Sequence, residues 1–202
     1  MVKESLVNEN YIQEKVIINI IWANIFGIIV FIIALVIFGI LFAFLWNVKF
    51  AQETNLLNIP RGNILQSLLF FFIYMLILII GIILHELIHG IVFAKYAKNK
   101  YKSIKFGIMP KEKLFSPYCH CKEILRIDHY KMAIIMPTII LGIIPAVISL
   151  IIGNIMLLFF GIVFICAGGG DILMLMKILK EKNSDLVYDL PDEAGFIVYR
   201  EK

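Results

Sequence analysis

The sequence predicts an all-α polytopic membrane protein with about four transmembrane helices. Of its 202 residues, 61% are hydrophobic, and the mean hydropathy is +0.91. A soluble domain of this length cannot bury so much apolar surface. Three stretches without a charged residue, at 16–48, 62–84 and 132–170, contribute most of it. These stretches define the membrane-spanning part of the predicted fold.

The lengths of the three stretches set the number of helices. A helix needs about 20 apolar residues to cross a bilayer, so the first two stretches predict helices near 17–46 and 64–94. The third stretch is long enough for two helices, near 132–152 and 155–177, because Gly153 and Asn154 are typical of a tight turn. The chain shows no repeats, linkers or signal-cleavage site. We therefore expect a single integral membrane domain over 1–202.

Lysine and arginine residues predict the orientation of the helices. They are concentrated in the loop 95–131 and the tail 178–202, whereas the other connections carry only Lys49 and Arg61. Because positive residues stay on the cytoplasmic side, the basic loop, the tail and both termini are expected in the cytoplasm. The net charge of +4 is then explained by this topology and by attraction to the anionic lipid bilayer. No nucleic-acid partner is expected.

The segment GIILHELIHG, at 81–90, places three ionisable side chains near the end of the second helix. His85 and His89 are four residues apart, so on a helix they project from one face, one turn apart. Two imidazoles at this spacing can bind one zinc ion, and Glu86 beside them can act as a general base. Histidines that merely face lipid headgroups are the alternative, but that arrangement gives Glu86 no role. Ionisable residues within membrane helices are usually functional.

A catalytic zinc site has three protein ligands, and Asp171 is the remaining ionisable side chain within the predicted spans. His89 precedes Lys95 by six residues and Asp171 precedes Lys177 by six, which places both about 9 Å from the cytoplasmic boundary. The glycines at 168–170 allow helices to approach closely. The alternative for Asp171 is a carboxylate that bonds a backbone or hydroxyl donor. Four other side chains are the next candidates for the third ligand: Glu123, Asp128, His120 and His129.

The basic loop contains two segments, KSIKFGIM and EKLFSPYCHC, that flank a Pro-Lys-Glu-Lys turn. This pattern predicts a short β-hairpin. Cys119, His120 and Cys121 within it suggest a second metal site, but adjacent residues of an extended strand point to opposite sides. We therefore expect no metal there. The C-terminal tail is expected to dock on the surface and is assigned no chemistry.

The motif HELIHG, the basic segment after it, Pro137 and Pro145 in the third helix, and the Gly-Asp pair in the fourth resemble a bacterial family of membrane zincin peptidases. In its site logic the chain is also similar to the site-2 intramembrane zinc proteases, although GGGDIL departs from their usual aspartate context. The resemblance implies Zn²⁺ on His85, His89 and Asp171, Glu86 as the catalytic base, and a bacterial cytoplasmic membrane. It also implies that a strand beside the motif helix binds an extended substrate.

The sequence thus predicts an intramembrane zinc metalloprotease that cuts a membrane protein or a membrane-associated peptide near the cytoplasmic face. The alternative is a membrane protein that binds metal for structure, transport or partner assembly. Glu86 separates the two readings, because a structural metal site has no use for a general base. Four histidines in the whole chain are too few for a binuclear iron oxidase.

Overall fold

The computed structural model describes residues 11–46, 64–108, 117–191 and 193–202. Helices make up most of this part of the chain. In chain order they are α1 (Ile20–Trp46), α2 (Ile64–Tyr96), α3 (Ile127–Pro137), a π-helical segment (Thr138–Ile143), α4 (Ile144–Ile152), α5 (Ile155–Ala167) and α6 (Gly169–Ile178).

Three helical segments are long and apolar enough to cross a membrane, namely α1, α2 and the continuous stretch Ile127–Ile152. The pair α5 and α6 adds a fourth if it counts as one span, although the two helices meet at an angle of 47°. Large apolar side chains cover the outside of α1 and α2, where Phe44 is 80% and Ile64 77% exposed. Such an apolar exterior suits lipid; the membrane placement stays a prediction.

The helix boundaries differ from the predicted ones in two places. The third span begins at Ile127, ahead of the predicted 132, and the fourth is broken at Gly168 where a continuous helix was expected. The predicted turn at Gly153 is present: this glycine ends α4 with a φ of 72°, in the left-handed region that favours glycine. The Asn154 side chain then caps α5 by accepting a hydrogen bond from the Leu157 N–H.

The all-α prediction is wrong for the two ends of the chain. Four strands, β1 (Tyr11–Ile17), β4 (Leu125–Arg126), β5 (Leu186–Asp189) and β6 (Gly195–Glu201), form an antiparallel sheet in the order β1-β6-β5-β4. Tyr11 lies opposite Glu201, so the pairing joins the two ends of the sequence. A pattern read along the chain cannot indicate which distant strand a polar segment will pair with. The tail, expected to dock on the surface, is an integral part of this sheet.

The two strands of the predicted hairpin are present. Strand β2 (Ile104–Ile108) follows a short 3₁₀ helix (Lys100–Ser103) and pairs antiparallel with β3 (Pro117–Cys121), with Ile104 opposite Cys121. The predicted Pro-Lys-Glu-Lys turn at 110–113 lies outside the described residues.

Two apolar clusters fix the relative positions of these elements. Near the C-terminal end of α2, Phe93, Tyr130 and Ile178 pack with Phe196 and Val198 of the sheet. A second cluster joins α1, α4 and α5 through side chains that include Phe42, Ala146, Leu158 and Ile162. The first cluster places α2, α3, α6 and the sheet side by side, and this arrangement builds the site.

Candidate metal centre

Two helices carry the candidate ligands. His85 and His89 lie one turn apart on α2 and are 7% and 6% exposed, and Asp171 lies in the first turn of α6. Oδ2 of Asp171 is 3.0 Å from Nε2 of His85 and 3.4 Å from Nε2 of His89. The candidate ligand atoms all lie within 4.8 Å of one another. The structure therefore brings together the three side chains that the sequence singled out.

The break between α5 and α6 accounts for the position of Asp171. At Gly169, a Cβ would lie 2.5 Å from the Cα of Gly27 on α1, so only glycine allows this close approach of α6 to α1. Helix α6 starts here and directs Asp171 toward α2. The N-terminus of a helix also stabilises a negative charge. The small residues noted in the sequence thus position the carboxylate.

A backbone carbonyl on α3 orients His89. Nδ1 of His89 lies 2.9 Å from the carbonyl oxygen of Ala133. A carbonyl only accepts, so Nδ1 carries a hydrogen, and Nε2 is the ring nitrogen that remains to bind a metal. The helical partner of the Ala133 carbonyl would be the N–H of Pro137, which proline lacks. Pro137 therefore leaves this carbonyl available to His89.

The geometry fits zinc. Two ligand atoms, each about 2.1 Å from a tetrahedral ion, lie about 3.4 Å apart, close to the two separations from Asp171. Histidines that bind a metal generally donate their second ring hydrogen to a carbonyl or carboxylate, as His89 does. Nδ1 of His85 is buried without a hydrogen-bond partner among the residues that the structure describes. Two imidazoles and one carboxylate are also the usual donors of a catalytic zinc site.

Glu86 and the candidate ligands line a cavity of about 510 Å³. Its walls come from the starts of α1 and β3, the end of α2, one face of α3, the α5–α6 junction and the tail. Glu86 follows His85 directly on α2 and lines the same space. The cavity is large enough for part of an extended peptide beside the three ligand atoms.

The alternative ligands from the basic loop are engaged elsewhere. Glu123 accepts hydrogen bonds from the backbone N–H groups of Lys98 and Asn99, and from the side chains of Asn99 and Ser103. Burial disfavours its charged form, but these bonds outweigh that effect and hold the pKa of Glu123 below its ordinary value. Glu123 therefore stabilises the segment 98–103, which precedes β2.

Asp128, His129 and His120 also have other partners. Asp128 pairs with Arg126 at 2.9 Å, and the His129 ring stacks on Tyr96 with 4.1 Å between the centroids. His120 contacts Asp189 on β5. None of the three belongs to the cluster of ligand atoms around Asp171, within the ranges that the structure covers.

The Cys119-His120-Cys121 segment has the alternation expected of a strand. Burial raises the pKa of Cys121 to about 11 and moves that of Cys119 well above its usual value. Metals bind the thiolate, so thiols kept protonated in this way are poor ligands. Along the described ranges, the one group of histidine, cysteine and carboxylate side chains with converging ligand atoms is His85, His89 and Asp171.

A family model described as "Putative zincin peptidase" (DUF3267) matches residues 78–186, more than half of the chain. The chain belongs to this family. The match includes His85, Glu86, His89 and Asp171, and it leaves out α1, β1 and β6. No curated protein and no solved structure matches the chain. Zincin membership implies zinc and a peptidase, whereas the relation to site-2 proteases and the role of each residue stay predictions.

Sequence reasoning missed three contributors to the site. The Ala133 carbonyl could have been found from Pro137, because a proline always frees the carbonyl four residues before it in a helix. Tyr130 and Asp189 line the cavity, but nothing in the sequence indicates that the tail returns to the metal centre.

Proposed function

We propose that the protein is an intramembrane zinc metallopeptidase that hydrolyses peptide bonds of a membrane protein or membrane-associated peptide near the cytoplasmic face. One observation carries the proposal: His85, His89 and Asp171 converge beside Glu86, on helices apolar enough to cross a bilayer. The bacterial cytoplasmic membrane, with both termini in the cytoplasm, is the location that the distribution of lysines and arginines supports.

The residues of the cavity suit peptide hydrolysis. Zinc, when bound, supplies Lewis-acid activation of water and of the scissile carbonyl. Glu86 accepts a proton from the attacking water, whose oxygen forms a bond to the carbonyl carbon. The C–N bond then breaks, and Glu86 returns the proton to the leaving amine. The Ala133 carbonyl orients the His89 ring with a hydrogen on Nδ1, so the ring does not need to change tautomer to bind zinc through Nε2.

The outer edge of β3 supports binding of an extended substrate. The Lys122 N–H bonds to the carbonyl of Ser103, so by the alternation of an antiparallel ladder Cys119 and Cys121 direct their backbone groups away from β2. In the described part of the chain, β2 is the only strand that pairs with β3. Cys119 also lines the cavity. A substrate added as a strand at this edge would lie along the cavity wall.

The test compares Glu86→Gln with wild type and with Glu201→Gln, a control carboxylate that is exposed and outside the cavity. The purified proteins are loaded with zinc and incubated with a library of quenched fluorogenic transmembrane peptides in detergent. We expect Glu86→Gln to retain about one zinc per chain and to lose at least about 100-fold in turnover. Cleavage by Glu86→Gln at the wild-type rate would overturn the general-base role. Zinc-loaded wild type that cleaves no peptide would favour the non-catalytic metal-binding alternative.

A further inference from the structure

The C-terminal tail carries a second buried polar cluster, formed around the carboxylate of Asp189 on β5. Oδ1 of Asp189 accepts a hydrogen bond from the Tyr130 hydroxyl at 2.9 Å. Oδ2 lies 3.1 Å from Nδ1 of His120 and 3.3 Å from the backbone nitrogen of Cys121. An ionised carboxylate only accepts, so Nδ1 of His120 carries the hydrogen. All three donor residues are at most 2% exposed.

We propose that Asp189 is a positioning residue that docks the β2–β3 hairpin against the metal cavity and sets the register of a peptide strand bound along β3. The register part rests on the proposed function, because it concerns the substrate of that same site. The docking part concerns the folded chain alone.

Asp189 joins elements that lie far apart along the chain. His120 and Cys121 lie on β3, Tyr130 lies on α3, and Asp189 comes from the tail. Tyr130 and Asp189 line the same cavity as His85 and Glu86. Without the carboxylate, three buried donors would have no acceptor. The donors on the hairpin could then form hydrogen bonds only with water, which requires the hairpin to move into solvent. Asp189 therefore holds β3 at the cavity wall.

The alternation along β3 limits the register of a bound peptide. Cys121 and Cys119 are successive positions whose backbone groups face away from β2. At Cys121 the Asp189 carboxylate occupies the place that a neighbouring strand would take, so strand pairing must end there. Cys119 is left as the position that can pair with a bound peptide. A slip of two residues keeps the side chains on the same face, so a fixed end of the edge is needed to select one register.

The sheet that carries Asp189 connects distant parts of the chain. Strand β5 lies between β4 and β6, and the Ile18 N–H bonds to the Ala194 carbonyl at 2.8 Å. The matched family region ends at residue 186, so Asp189 lies beyond it. The tail of this chain thus supplies a residue to a site that the family match alone does not complete.

The test uses full-length protein in detergent and two substitutions of equal size. Asp189→Leu removes the acceptor. Asp189→Asn keeps a side-chain carbonyl that can accept from His120 and Cys121, and its amide N–H can donate to the Tyr130 hydroxyl oxygen. The reporter is maleimide labelling of Cys121, which is fully buried, with Cys119 and Cys166 changed to serine. Because local opening controls such labelling, we expect about ten-fold faster labelling in Asp189→Leu and near wild-type labelling in Asp189→Asn. Glu201→Leu, at the exposed end of β6, is the control in the same tail.

Zinc content and cleavage separate positioning from general destabilisation. Asp189→Leu should retain zinc, because no ligand comes from the tail, and should raise KM about ten-fold with kcat changed less than about three-fold. Product mass spectra should show a second cut displaced by two residues. If Asp189→Leu loses zinc, the same comparison on His120→Leu, which removes one donor, should change labelling and KM in the same direction.

The proposal would be overturned if Cys121 stayed protected from labelling in the zinc-retaining variant and if KM and the cleavage position were unchanged. Labelling needs no turnover, so it decides the docking role even if wild type cleaves nothing. A wild type that cleaves nothing would overturn the proposed function instead, and the two failures are therefore distinguishable.

Discussion

Asp171 and Asp189 line the same cavity, and each has a carboxylate oxygen about 3 Å from a histidine ring nitrogen. Their surroundings differ. Asp189 is bonded to a hydroxyl, a ring N–H and a backbone N–H, which are all donors. Asp171 faces two histidines, and the second ring nitrogen of one of them already donates to the Ala133 carbonyl.

The difference between the two carboxylates separates a candidate metal ligand from a structural acceptor. The Asp189 carboxylate accepts from three donors, so this cluster holds three elements of the fold together. Around Asp171 the Nδ1 hydrogen of His89 is taken up by the Ala133 carbonyl, so Nε2 is the nitrogen that can bind a cation, and three ligand atoms converge. A buried Asp–His contact is therefore informative only when the hydrogen-bond partner of the other ring nitrogen is known.

The largest effect that sharpens this comparison is expected from Pro137→Ala. The new N–H would bond to the Ala133 carbonyl within α3 and compete with Nδ1 of His89 for it. Loss of a hydrogen bond that orients a metal ligand typically weakens metal binding by about 10- to 100-fold, so we expect about a ten-fold weaker zinc affinity. Competition with a fluorescent chelator measures it. The control is Pro145→Ala, on the same span; an equal loss there would show that helix shape, and not the Ala133 carbonyl, controls affinity.

A smaller effect is expected on the hairpin side, from acid. The pKa of Glu123 is held low by its donors, so its contribution to stability is present above the ordinary glutamate range and is lost as the pH falls through the lowered value. Metal-free protein should show a decreasing thermal midpoint from about pH 5 to about pH 3, and the decrease should be smaller in Glu123→Gln. Identical pH profiles for the two proteins would remove Glu123 from this role.

The sequence predicts the helices and the proximity of His85, His89 and Asp171 for physical reasons. Membrane spans are long apolar runs, and their ends are marked by Lys95 and Lys177, so the depths of His89 and Asp171 could be compared by counting. The residues at 81–90 add a spacing that only a helix brings to one face. These signals are local, and the structure places the three side chains together.

The sheet and the Asp189 cluster could not be predicted in the same way. Tyr11 pairs with Glu201 across most of the chain, and the Cys121 N–H bonds to the Asp189 carboxylate, which is 68 residues away. Such partners are selected by the packing of α2, α3 and α6 beneath the sheet, and short polar strands carry too weak a period-2 pattern to reveal them. The bend at Gly168 was also missed, because three consecutive glycines indicate close packing but no direction.

The most direct test of the central claim is the zinc content of purified wild type, Asp171→Ala and Asp189→Asn, measured by mass spectrometry after dialysis against a weak chelator. We expect about one zinc per chain in wild type and Asp189→Asn, and almost none in Asp171→Ala. Zinc retained by Asp171→Ala, or absent from wild type reconstituted with zinc, would contradict a metal centre formed by α2 and α6.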